Sequence, residues 1–212
     1  MDPSLTPHDE FFSFVLSDTE NARDFILNTL PDPVLELLDL ESISVSRESF
    51  VDPELKKSQF DVLITTRVRG WPAYIYVLVE HKSRPERWTV LQLLGYMVRI
   101  WKKEVKNRTD RKVKAPLPVI IPVIFYHGTR TWRYPLSFGE YFDAPAELDR
   151  YIPDFASEFT DLARTPDHRI LGNVLFQSAF LTMKYISKAL EENILDILNL
   201  LAKAHVDQRY YD

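Results

Sequence analysis

The stretch QFDVLITTRVRGWPAYIYVLVEHK, residues 59–82, decides how the chain folds. Residues 59–68 are rich in β-branched side chains and read as a strand, and Arg69-Gly70-Trp71-Pro72 supplies turn chemistry. Residues 73–82 read as another strand, apolar enough on both faces to sit centrally in a sheet. The two strands therefore form a hairpin. A turn centred on Arg69-Gly70-Trp71 makes paired positions sum to 140 or 141, which sets Asp61 opposite residue 79 or 80. Asp61 and Glu80 become cross-strand neighbours. Lys82, two positions further on, shares the face of Glu80, while His81 points the other way.

On the N-terminal side, residues 6–39 carry helical spacing, with Phe11, Phe12, Val15 and Leu16 followed by Phe25, Ile26 and Leu30. Pro7 and then Asp18 or Thr19 are helix openings, so two short helices are expected. Leu30-Pro31-Asp32-Pro33 breaks the chain before one further turn, and from Ser42 to Phe50 the period changes to that of a strand. On the C-terminal side, residues 86–105 return to helical period through Leu91, Leu94, Met97, Val98 and Trp101. Residues 119–126, VIIPVIFY, read as a strand in which Pro122 marks an edge or a bulge. Residues 134–159 read as an aromatic, proline-interrupted loop with one short helix, and residues 170–203 as two helices breaking near Glu191-Glu192-Asn193. The expected architecture is α/β: a core of order α, β, β, β, α, β with a mixed sheet over residues 1–142, and a mostly helical appendage, 143–212, packed on it.

Composition narrows the chemistry. With 45% hydrophobic residues in 212 the chain can bury a core, and with no cysteine it has no disulfide framework, thiolate metal site or cysteine nucleophile. The N-terminus lacks a basic and an apolar signal region, and no apolar run is long enough to span a bilayer. A soluble cytoplasmic protein with no membrane partner is the expectation. The net charge of −5 argues against a polyanionic partner only if it is evenly spread. It is not: residues 1–60 carry −9, residues 61–114 carry +8, and residues 115–212 carry −4. The basic middle contains the hairpin.

Two facing carboxylates repel unless a cation lies between them, and oxygen ligands suit magnesium, or manganese or calcium in its place. A lysine beside that cation can orient a water or stabilise charge on a phosphorane-like transition state. An acid and a base two apart on a strand are usually just an exposed face. Here Tyr74 to Val79 are almost wholly apolar, so charges at the end of this strand are better explained as a site.

Asp61, eighteen intervening residues, and Glu80-x-Lys82 on this frame resemble the PD-(D/E)xK nuclease superfamily, with Phe60 where a proline commonly precedes the aspartate. More narrowly, the chain is similar to the bacterial recombination-promoting nucleases, also called YhgA-like transposases. The similarity rests on His8-Asp9 with Phe11-Phe12, Leu30-Pro31, Glu48-Ser49-Phe50-Val51-Asp52, Asp61-Val62-Leu63, Val79-Glu80-His81-Lys82-Ser83, Leu94-Gly95-Tyr96-Met97, and Pro122 to Gly128 with Trp132. The resemblance implies a restriction-endonuclease-like core and a DNA endonuclease dependent on a divalent metal. Asp61 and Glu80 are then the metal ligands and Lys82 the catalytic base. Many family members carry glutamine at the position of Lys82, and often a lysine where this chain has Ser13. Members also tend to be longer at the C-terminus, so a segment used for partner choice is expected to be missing.

The same resemblance draws in further residues. Gln92 and Tyr96 share a helix face, and such a pair supports the catalytic lysine and substrate in some nucleases of the superfamily. Asp9 is a candidate third acid for the metal shell, although first-turn acids also simply suit a helix N-terminus. Arg99, Lys102, Lys103, Lys106 and Arg108, with Arg84 at the rim, are candidate contacts to DNA phosphates; such a run is otherwise a solvated helix end. No Walker loop, dinucleotide fingerprint or serine elbow is present, so no small organic cofactor is expected. Two further readings stand beside the nuclease: a non-catalytic module that binds DNA through the basic segment, and a homo-oligomer assembled through the C-terminal helices. The latter requires an exposed stripe of Leu171, Val174, Leu175, Leu181, Ile186, Leu190, Ile194 and Leu198.

Overall fold

A computed structural model describes residues 7–46, 61–80, 85–107, 116–185, 195 and 197–199, with the backbone alone for residues 7–10, 46, 61 and 76–80. Helix α1, Pro7–Leu16, is followed by α2, Thr19–Thr29, and the single turn α3, Asp32–Leu35. Asp18 caps α2 by accepting the Asn21 amide at 3.0 Å, which satisfies one of the orphan donors of the first turn. Leu30, ahead of Pro31, is forced into extended backbone and ends the helix.

Strand β1 spans Leu38–Ser46, β2 Asp61–Val68 and β3 Trp71–Glu80; helix α4, Thr89–Asn107, then leads to β4, Val119–Tyr126. A short β5, Glu158–Asp161, and helix α5, Val174–Tyr185, complete the described elements. The fold is a mixed α/β one. Its five strands lie in the order β1-β2-β3-β4-β5, antiparallel across the first three and parallel across β3, β4 and β5. Parallel β3 and β4 need a crossover, which α4 provides. β3 is the middle strand, as its two apolar faces require.

The hairpin is tighter than its sequence suggests. Val68 pairs with Trp71, so the loop has two residues, Arg69 at φ 49° and Gly70 at φ 85°. Both lie in the left-handed region, as a two-residue hairpin turn demands. The register shifts accordingly: Asp61 faces Leu78 rather than residue 79 or 80.

Side-chain alternation divides the core in two. Val62, Ile64, Ile75, Val123 and Phe125 face α1, α2 and α5, where Phe12 stacks on Phe125 at 4.7 Å and Phe176 on Phe180 at 4.0 Å. Leu63, Ile120 and Ile124 face α4 and meet Leu93, Met97 and Ile100. Pro122 falls in the half of β4 that precedes its pairing with β5, which begins at Val123, so its missing amide costs that ladder nothing.

The described residues between 143 and 185 include a strand as well as helix. β5 extends the sheet, and two 3-10 segments, Ala146–Tyr151 and Asp167–Arg169, lie around it. α5 belongs to the first core cluster through Phe176, Ala179 and Phe180. Buried Asn21 fastens it: its amide donates to the Val15 carbonyl at 3.0 Å, and its oxygen accepts from Asn173 at 2.8 Å. Asn173 in turn caps α5 by accepting the Phe176 amide at 2.9 Å.

Candidate functional site

Positions 61 and 80 converge by register. Asp61 is opposite Leu78, and Glu80 is two residues further along β3, so the two are diagonal neighbours on one face of the sheet. That face is the α4 face. In β2 the odd residue Leu63 belongs to the α4 cluster, and in β3 the even residue Tyr74 packs against it. Glu80 also pairs with Tyr126, whose ring meets Trp132 at 5.5 Å and Phe159 at 6.3 Å in the same layer. Both acidic positions therefore lie at the end of the sheet where β3 and β4 finish. Lys82, His81, Arg84 and Arg108 lie outside the described residues.

Helix α4 overlies this face. Its buried residues Thr89, Val90, Leu93, Tyr96, Met97 and Ile100 form the inner stripe. Gln92, Tyr96, Arg99 and Lys103 follow one another at spacings of four, three and four, which aligns them along one flank of that stripe. Gln92 stands at the end nearer the acidic positions. Its Nε2 donates to Glu86 Oε2 at 3.4 Å, while its Oε1 is buried with no hydrogen-bond partner among the described residues. The Arg99 guanidinium lies 5.6 Å from the Tyr96 ring centre, a cation–π distance. Lys102 and Lys106 are exposed and Lys103 half-buried.

The basic end of α4 is remote from the acidic positions. The Tyr74 hydroxyl donates to Glu104 at 2.7 Å, so the last turns of α4 sit over the beginning of β3. Glu80 lies six positions beyond Tyr74 on the strand, about 20 Å at ~3.3 Å per residue. Burial first, then the Glu104 hydrogen bond and charge, pushes the Tyr74 phenol up to about 12.

Asp9 sits on α1, which packs through Phe12, Val15 and Leu16 against the opposite face of the sheet. Among the described residues no group of three or more histidine, aspartate or glutamate side chains is placed to hold a metal ion. The donors offered at positions 61 and 80 are carboxylate oxygens, and the unpartnered Gln92 carbonyl adds another, a set that fits a hard divalent cation. Of the proposed oligomer stripe, Leu171, Leu175 and Leu198 are exposed, Val174 is half-buried and Leu181 is buried; Ile186, Leu190 and Ile194 lie outside the described residues. Among the described residues no helix is long and apolar enough to cross a membrane.

Two residues near the site escaped the sequence. Trp88 and Tyr141 meet at 5.6 Å beside the start of α4. Their only signal was aromatic composition, which does not tell a buried ring from a presented one.

A mixed α/β sheet with an acidic pair at the end of a central hairpin, beneath a helix lined with polar and basic residues, defines the class. The chain belongs to the family described as Putative transposase, YhgA-like, whose model matches residues 6–210. It is 32% identical over 186 residues to recombination-promoting nuclease RpnC of Escherichia coli (strain K12), covering 87% of this chain and 60% of RpnC. It is 31% identical over 197 residues to recombination-promoting nuclease RpnD of Escherichia coli O157:H7, covering 92% and 74%. A third relative, 29% identical over 182 residues, is named as inactive: the recombination-promoting nuclease-like protein RpnE of Escherichia coli (strain K12), of which 59% is covered. The chain thus spans about three fifths of the length of RpnC and RpnE. No solved structure matches it significantly.

Proposed function

We propose that this chain is a divalent-metal-dependent DNA endonuclease built on a restriction-endonuclease-like core and acting in recombination or at mobile elements. The observation that supports it best is the register of β2 on β3, which makes Asp61 and Glu80 diagonal neighbours on the face covered by α4. The names of RpnC and RpnD as recombination-promoting nucleases agree with it. Asp61 and Glu80 would hold magnesium or a similar cation, which when bound polarises the scissile phosphate and neutralises charge developing there. Lys82 takes the proton of the attacking water, whose oxygen bonds to phosphorus as the phosphorus–oxygen bond to the leaving nucleotide breaks. Gln92 orients the lysine or the water through its unpartnered carbonyl. Arg99, Lys102, Lys103 and Lys106 neutralise backbone phosphates along the duplex, a contribution independent of sequence. The end of this row lies about 20 Å along the strand from the acidic positions, roughly six base pairs at ~3.4 Å each.

The existence of an inactive relative gives a second reading weight: the same frame binding DNA without cutting it. One assay separates the two. Supercoiled plasmid incubated with the protein and magnesium should be nicked or linearised, and chelation with EDTA should stop the reaction. Plasmid bound in a gel shift yet left intact under every divalent metal tried would establish the non-cutting reading instead.

A further inference from the structure

On the α4 face an aromatic ladder begins in the core and ends in solvent. Phe155 stacks on Phe138 at 5.6 Å with their planes 16° apart; Phe138 meets Tyr141 at 6.2 Å, and Tyr141 meets Trp88 at 5.6 Å. Phe138 is buried, whereas Trp88 is 49% exposed. The Tyr141 hydroxyl donates to the Arg87 carbonyl at 2.5 Å, which ties the backbone carrying Trp88 to the ladder. The Trp88 carbonyl accepts the Gln92 amide at 3.0 Å, so the indole stands where α4 begins. The exposed Arg87 guanidinium lies 5.0 Å from the Trp88 ring centre.

An indole held this firmly and left half in water does not serve the second core cluster, which Leu93, Met97 and Phe138 already fill. Trp88 comes eight positions after Glu80, in the crossover that leaves the acidic end of the sheet. A rigid aromatic face with a guanidinium beside it recognises another π-face that carries an anion. Bases in a continuous duplex offer their edges, because their faces are already stacked. An unpaired nucleotide offers both face and phosphate.

We propose that Trp88, backed by Tyr141 and flanked by Arg87, is a stacking platform for one unpaired nucleobase, so that the site prefers DNA with an unpaired base beside the cut. Arg87 can leave the ring for the adjoining phosphate as the base arrives. This rests on the nuclease reading for the identity of the ligand, but its test needs no cleavage.

Oligonucleotides carrying 2-aminopurine either unpaired in a gap or paired within a continuous duplex are titrated in EDTA with wild type, Trp88→Ala and Trp88→Phe. Wild type should quench the unpaired probe. Trp88→Ala should lose the quench and weaken binding of the gapped DNA by about 5- to 150-fold, the size of one base–aromatic stack. The continuous duplex should bind within about twofold, a control for folding, and Trp88→Phe should retain most of the affinity. Equal weakening for both DNAs, or no change for either while wild type still binds and cuts, overturns the platform alone. Wild type that neither binds nor cuts either DNA overturns the nuclease reading and the platform with it.

Discussion

Gly128, which follows β4 and His127, shows how one position can be fixed by its neighbour. A methyl group placed there would overlap the hydroxyl and ring of Tyr126, which is fully buried and held by a hydrogen bond from its phenol to the Arg130 carbonyl at 2.8 Å. The ring cannot yield without leaving Trp132 and Phe159. Gly128→Ala should therefore destabilise the protein by about 1–3 kcal/mol, the usual range for overpacking a close-packed core. Urea unfolding monitored by tryptophan fluorescence measures it, and an unchanged midpoint would show that the chain after β4 can shift at no cost. The sequence marks a glycine here but cannot say why, because the clash is made by the path of the Tyr126 side chain. Gly70 is more legible: a glycine between two β-branched runs already announces a tight turn.

Among elements, α4 is joined to β3 by the hydrogen bond from Tyr74 to Glu104, which fixes how the basic helix lies over the sheet. The Tyr74 phenol holds its proton to about 12, above its ordinary value near 10. The folded state thus retains a proton that the unfolded chain releases first. This stability is fully present below pH 10 and is lost as pH rises towards 12. Wild type should lose thermal stability across that window faster than Tyr74→Phe, and parallel curves for the two would contradict the assignment. At the other end of the chain Asp167 accepts from Lys184 and from Tyr185, the latter at 2.7 Å. Burial alone would raise its carboxyl, but these two bonds together with the charges of Lys184 and His168 hold it low.

Elements were legible in proportion to their length and period. The β2–β3 hairpin was plain, yet its register came out one or two residues too wide, because a turn centred on Arg69-Gly70-Trp71 was read where Arg69 and Gly70 suffice. β5 was missed for a different reason. Glu158-Phe159-Thr160-Asp161 is four half-buried residues without apolar alternation, and it becomes a strand only because β4 offers it an edge. Helix α5 was legible as a helix, but nothing local in Asn173 reveals that it will meet Asn21, 152 residues away.

At the scale of the whole molecule, charge and fold agree. The acidic N-terminal segment supplies α1 and α2 on one face of the sheet, and the basic segment supplies α4 on the other. A net charge of −5 therefore conceals unlike segments, −9 over residues 1–60 and +8 over residues 61–114. The proximity of positions 61 and 80 was legible as a spacing, and the register of β2 on β3 sets them diagonally on one face. The polar line from Gln92 to Lys103 was legible only in part, since helical spacing gives the line but not which way α4 lies on the sheet.

The central claim is that Asp61, Glu80 and Lys82 form one hydrolytic unit. Single-turnover cleavage of a fluorescent DNA substrate in magnesium, compared for wild type, Asp61→Asn, Glu80→Gln and Lys82→Ala, tests it most directly. Each variant should cut about 10²- to 10⁴-fold more slowly, the range expected when a positioned acid–base or electrostatic group is removed, while still binding the DNA. Cleavage at the wild-type rate by any two of the three would contradict the account.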